Sequence, residues 1–125
     1  MVKQIRDVVE QYVELVGSGP TEEIVKLYAP DAVVEDPVGT PVKRGHDAIR
    51  EFYEVIAALD RETELRPEDV RIVGNQAAFP FTIVTKVGEQ RFVLSPIDVM
   101  EFDEEGRITG MRAHWSQEDM RVEPE

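Results

Sequence analysis

A chain of 125 residues with 42% hydrophobic content has the size of one domain and can bury its own core, so a single domain over 1–125 without a linker is expected. Its net charge of -12 repels phosphate backbones and anionic lipid, which disfavours nucleic acid and membrane as partners and leaves a neutral or cationic small ligand. With no cysteine, disulfides, thiolate metal sites and thiol nucleophiles are excluded together.

Ile5, Val8, Val9, Tyr12, Val13 and Val16 recur at helical spacing, which predicts an amphipathic helix over 3–16, stopped by Gly17-Ser18-Gly19. Lys3, Arg6, Asp7, Glu10 and Glu14 interrupt any apolar stretch there, so no signal peptide or span is read and cytoplasmic residence is the expectation. Pro20 suits a first helical turn and Glu22 and Glu23 suit its positive end, giving a short second helix over 20–28. Residues 32–36 read as extended, because Pro37 pushes its predecessor out of the helical region and Gly39-Thr40-Pro41 is turn chemistry. Ala48, Ile49, Phe52, Tyr53, Ile56 and Leu59 predict a third helix over 47–60. Beyond it, 70–73, 77–87, 91–103 and 108–116 are β-rich runs separated by Gly74-Asn75, Gly88-Glu89 and Glu104-Glu105-Gly106. The acidic stretch 121–125 reads as a frayed tail. Helices followed by a meander predict an α+β fold, three helices packed on a curved, mainly antiparallel sheet.

Strand alternation through Phe92, Leu94, Pro96, Asp98, Met100 and Phe102 sets one carboxylate among apolar side chains, with Arg91 and Glu101 on the other face. A carboxylate so buried resists ionising and at neutral pH can stay protonated and donate a hydrogen bond. The alternative for Asp98 is a structural pair with a buried arginine such as Arg112, or a cap on a backbone amide. Tyr12 lies in the apolar stripe of the first helix, and Tyr28 and Tyr53 fall on apolar helix faces, so three phenols either share one interior or are independent core aromatics. Asp36 precedes Pro37, which offers no N–H to solvate it, and Val33, Val34 and Val38 surround it; it is a partly desolvated base or turn punctuation. His46 and His114 lie far apart with no metal-ligand spacing, so no metal is expected, and no phosphate-cradling or nucleophile-elbow motif occurs.

Val9-Glu10-Gln11-Tyr12-Val13, Val33-Val34-Glu35-Asp36-Pro37-Val38-Gly39, Ile49-Arg50-Glu51-Phe52-Tyr53 and Pro96-Ile97-Asp98 together resemble the bacterial delta-5-3-ketosteroid isomerases, or steroid delta-isomerases. The likeness continues to Met111-Arg112-Ala113-His114-Trp115-Ser116. The resemblance implies a nuclear-transport-factor-like cone: a conical barrel with a deep apolar pocket, pairing as a homodimer through its sheet. It implies isomerisation of a 3-oxo-delta-5-steroid to the conjugated delta-4 ketone, with Asp36 as proton shuttle and Tyr12 and protonated Asp98 as oxyanion donors. Ketosteroid isomerases are a known case of an acid kept neutral by an apolar site, so that role for Asp98 is carried over from the family. Tyr28 and Tyr53 would form the phenol network behind Tyr12. Phe79, Phe81, Val84, Met100, Phe102, Met111 and Trp115 are the expected walls around a hydrophobic steroid, with no cofactor required. Fold does not fix function, so a polyketide cyclase, dehydratase or epoxide hydrolase on the same cone is the alternative, or a non-catalytic ligand-binding or dimerisation module.

Overall fold

Residues 2–124 are described by a computed structural model. The first half holds α1 (Val2–Ser18), α2 (Thr21–Val25), β1 (Tyr28–Glu35), β2 (Lys43–Arg44) and α3 (Gly45–Ala57). After these come β3 (Asp60–Glu64), β4 (Arg71–Val73), β5 (Gln76–Pro80), β6 (Thr82–Val87), β7 (Gln90–Leu94), β8 (Ile97–Phe102), β9 (Ile108–His114) and β10 (Arg121–Pro124). A six-stranded sheet has the order β2-β1-β9-β8-β5-β4 and a four-stranded sheet the order β10-β7-β6-β3. Every pairing is antiparallel except that of β1 with β9. The result is the expected α+β cone, although the sheets keep open margins and do not close into a barrel. Among the described residues no helix is long and apolar enough to cross a membrane.

The runs 77–87 and 91–103 are each one strand by composition but two in space, because both bend and pass from one sheet to the other. The breaks fall at Phe81 and at Ser95-Pro96, where the Phe81 N–H donates to the Pro96 carbonyl at 3.3 Å. Pro80 and Pro96 have no N–H for a ladder, so pairing is weakest at this level. The bend curls the inner faces of both sheets around α1 and α3. The stripe Ile5, Val9, Tyr12, Val13 and Val16 of α1 is buried in the core so formed, with Ile49 and Tyr53 of α3.

Several boundaries differ from the sequence reading for tertiary reasons. The second helix stops at Val25 rather than continuing to residue 28, and Tyr28 opens β1 instead of lying on a helix face. Strand pairing overrides the local helical spacing there: Ile108 donates to the Leu27 carbonyl at 2.9 Å, and the His46 ring nitrogen Nε2 lies 2.8 Å from the Tyr28 carbonyl. The third helix ends at Ala57 rather than at residue 60, and Asp60–Glu64, to which the sequence reading assigned no strand, forms β3. The described part of the expected frayed tail is β10, paired with β7 over Arg121–Val93 to Pro124–Gln90.

The polar strand β3 ties the helices to the sheet. Its inward Arg61 donates to the Val16 carbonyl at 2.7 Å, to Gly19 at 3.1 Å, to Ala57 at 3.1 Å and to Leu59 at 3.2 Å. One guanidinium thus satisfies the C-terminal carbonyls of both α1 and α3, where a positive charge also complements the helix dipoles. Beside it the Thr63 hydroxyl donates to the Val13 carbonyl at 2.7 Å, against Gly17, where a Cβ would lie 2.2 Å from that hydroxyl. Arg61→Met keeps the stem and removes every donor, and is expected to lower stability by about 2–4 kcal/mol. Urea unfolding at fixed protein concentration measures this; a loss within experimental error would show that water replaces the guanidinium freely.

Candidate active site

A cavity of about 320 Å³ opens between α1, α3 and the inner face of the bend. Each of its polar groups arrives on a different element. Asp98 stands on β8, in register with Phe79 of β5 and Ala113 of β9, and is 2% exposed. Its Oδ1 is sealed from solvent without a hydrogen-bond partner. Burial holds its pKa well above the ordinary carboxylate value, the charge of Asp36 adds to the rise, and the Tyr12 hydroxyl works against it. Arg112, the expected partner of a structural ion pair, instead reaches Glu35 at 3.5 Å. Asp98 therefore sits in the cavity with burial favouring its neutral form and one oxygen left without a partner.

The phenols form a chain. The Tyr12 and Tyr53 hydroxyls are 2.8 Å apart, and those of Tyr53 and Tyr28 are 2.6 Å apart. Tyr53 is the middle member, and Tyr28 reaches it from β1. Burial raises the pKa of all three, so each stays protonated. Either hydroxyl of each pair can be the donor; with Tyr28 donating to Tyr53 and Tyr53 to Tyr12, the Tyr12 proton is free to face the cavity. Donation along such a chain polarises the last O–H.

Asp36 follows the end of β1, and the Asp36–Pro37 peptide is cis. The Trp115 indole donates to its Oδ1 at 2.8 Å. The turn behind it is pinned by Val38 N–H to the Ala113 carbonyl at 2.9 Å and by Gly39 N–H to a Glu35 oxygen at 2.7 Å. Gly39 has φ of +100°, a conformation that favours glycine. Burial raises the Asp36 pKa, opposed by the Trp115 bond and by the charge of Lys43, whose ammonium lies 5.2 Å from the centre of the Phe52 ring. Asp36 is thus a carboxylate made more basic by its surroundings and held by one oxygen.

Tyr12, Asp36, Tyr53, Asp98, Phe81 and Trp115 all line this cavity. Five expected wall residues do not. Phe79 is fully buried, its ring 6.4 Å from that of Tyr12 and 6.1 Å from that of Phe81. Met100, Phe102 and Met111 lie beyond Asp98 in the core under the helices, and Val84 faces the outer side of β6 beside Glu62 and Arg91. The actual wall takes Ile83 and Thr85 from β6, Phe92 and Leu94 from β7, Phe52 and Ile56 from α3, and Met120. Alternation from Phe81 gives Ile83 and Thr85 rather than Val84, so that signal was present in the sequence; Met120 had none, because nothing local shows that β10 folds back on β7. Among the described residues no group of three His, Cys, Asp or Glu is placed to hold a metal ion.

The SnoaL-like domain family matches residues 9–111. The chain is 46% identical over 124 residues to the Steroid Delta-isomerase of Nocardioides simplex, covering 99% of each. Its fold is similar to that of the epoxide hydrolase/cyclase-like enzyme SalBIII, which acts in pyran ring formation in polyether salinomycin, with a TM-score of 0.89, 24% identity and 97% of each chain covered.

The state of Asp98 is open to a stability measurement. Its folded pKa lies above its unfolded one, so the native state keeps a proton that the unfolded chain releases. Its contribution is fully present below the unfolded pKa and is lost as pH climbs toward the folded value, at about 1.4 kcal/mol per pH unit. Asp98→Asn cannot ionise and is expected to flatten the decline in stability between pH 5 and pH 9, read from urea unfolding at pH 5, 7 and 9 at one protein concentration. A mutant destabilised at pH 7 but not in acid would mean that Asp98 is a paired anion.

Proposed function

We propose, from the premise that the chain belongs to the steroid delta-isomerase family and carries its SnoaL-like domain, that it moves the double bond of a 3-oxo-delta-5-steroid into conjugation with the ketone. The observation that carries this reading is the meeting, in one apolar cavity, of a buried carboxyl with an unpartnered oxygen, a phenol at the end of a hydrogen-bonded chain, and a second, less buried carboxylate. The steroid ketone sits between Tyr12 and Asp98. Asp36 takes a proton from the carbon between ketone and alkene, and the electrons move onto the ketone oxygen to give a dienolate. Tyr12 and Asp98 donate hydrogen bonds to that oxygen as its charge develops, in a site already desolvated and oriented for it. Asp36 then returns the same proton to the far end of the former alkene, so the carboxylate is regenerated and no net proton is consumed. Trp115 keeps Asp36 in place while its second oxygen reaches both carbons.

The isomerase pairs as a homodimer in this reading. The outer face of the six-stranded sheet supports it, since Ile97 and Val42 are exposed there, 47% and 54% respectively, with Val33 and Val99 nearby. Sedimentation as a monomer at micromolar concentration would remove this part of the proposal. The fold shared with SalBIII gives no separate support to a cyclase or hydrolase.

The test of the reaction is the ultraviolet absorbance of the conjugated ketone formed from 5-androstene-3,17-dione. Asp36→Asn is expected to lower turnover by about 10² to 10⁴ with steroid binding kept. Tyr12→Phe and Asp98→Ala are each expected to cost about 10² to 10³, as for one oxyanion donor. No absorbance change with the parent protein would sink the reading. Equal turnover in Asp36→Asn would sink the base assignment alone.

A further inference from the structure

The cavity has polar groups at two levels, and only one of them is used by the chemistry above. Asp98 and its neighbours lie at the bend, where Phe79 faces Asp98 in register. From Phe81 at the bend, β6 runs outward through Ile83 and Thr85, and β7 sets Leu94 opposite Ile83 and Phe92 opposite Thr85. Four residues at about 3.3 Å each place Thr85 about 13 Å along the strand from Phe81. Around it the lining is apolar, with Phe92, Leu59 and Met120.

Among the described residues the Thr85 hydroxyl has no side-chain or backbone partner, whereas the hydroxyls of Thr63 and Thr82 are engaged by the Val13 carbonyl and by Ser95. Nor is it sealed away: the buried side-chain atoms without partners are Arg91 Nε and Asp98 Oδ1. It is a free hydrogen-bonding group on a cavity wall that is otherwise apolar at this level, since Arg61, its register partner on β3, has its guanidinium engaged by the Val16, Gly19, Ala57 and Leu59 carbonyls. An apolar ligand end laid over it would strip its water and return nothing, whereas an oxygen there would pair with it.

We propose that Thr85 is a specificity-determining residue, its hydroxyl binding an oxygen substituent at the end of the steroid remote from the ketone, so that steroids oxygenated at carbon 17 are preferred over those bearing only hydrogen there. This rests on the isomerase reading. With the ketone at Tyr12 and Asp98, four fused rings lead along Ile83 and Leu94, and carbon 17 arrives at the level of Thr85 and Phe92. The Thr85 contact is remote from the reacting atoms and acts on binding of the substrate as a whole.

The experiment compares 5-androstene-3,17-dione with 5-androsten-3-one, which lacks the second oxygen, by kcat/KM in the parent, Thr85→Val and Thr85→Ser. Valine keeps the branched shape and removes the hydroxyl; serine keeps the hydroxyl. The parent is expected to favour the dione, Thr85→Val to shrink that preference about five- to tenfold through KM, and Thr85→Ser to retain most of it. A preference ratio in Thr85→Val equal to the parent's overturns the Thr85 assignment while leaving the isomerase reading intact. A parent protein that turns over neither steroid overturns both.

Discussion

The site depends on a bend that two adjacent strand runs make at the same level. Two straight, unbroken strands would lie flat under the helices and leave no room between them. Here β5 passes into β6 at Phe81 and β7 passes into β8 at Ser95-Pro96, and the hydrogen bond from Phe81 to the Pro96 carbonyl joins the two breaks. Because Pro80 and Pro96 cannot donate, the ladder yields at this point rather than elsewhere, and pairing resumes from Pro80–Ile97 on one side and Ile83–Leu94 on the other. Asp98 comes just after the bend on β8. That position gives it two apolar cross-strand neighbours, Phe79 and Ala113, and a place on the cavity wall.

Two carboxylates of the same chemistry are set apart by this architecture. Asp98 is sealed in a strand at the centre of the larger sheet, and burial, helped by the charge of Asp36, drives it toward its neutral form. Asp36 lies at the cavity wall in the turn after β1, with an indole N–H on one oxygen and a lysine charge within reach, and these oppose its burial. The charge of each raises the cost of ionising the other, so the pair shares one negative charge more readily than two. In the proposed mechanism that division assigns the acid and the base. The phenol chain extends the same logic, since three buried hydroxyls supply directed donors without bringing a charge into the core.

Much of this was legible in the sequence. The stripe on α1 put Tyr12 inside, and alternation from Phe92 to Phe102 put Asp98 inside, because both periods are local properties of one element. Tyr28 was placed correctly as an interior phenol but on the wrong element, since its strand exists only through pairing with β9, some eighty residues away. The walls were the least legible part. Met100, Phe102 and Met111 share the inward parity of Asp98, yet the helices cover that end of the sheet and the cavity lies toward the other; parity gives the face, whereas the bend decides where on that face the space is. Met120 and β10 depend on a return of the chain that no local pattern announces.

The strand β3 escaped the sequence reading because Asp60, Arg61, Glu62, Thr63 and Glu64 look like a solvated loop. It is also the margin of the four-stranded sheet, hydrogen-bonded to β6 on one side only. Such a margin is where a second chain could add as a further strand and start an aggregate. On β3 the outward side chains are Asp60, Glu62 and Glu64, all exposed, so a copy of the same strand laid against it would bring carboxylates face to face. At the opposite margin β10 carries Pro124 and the charges of Arg121 and Glu123. The composition that hid these strands from pattern reading is therefore what sets both margins of this sheet against further pairing: they are written in residues that refuse to continue it.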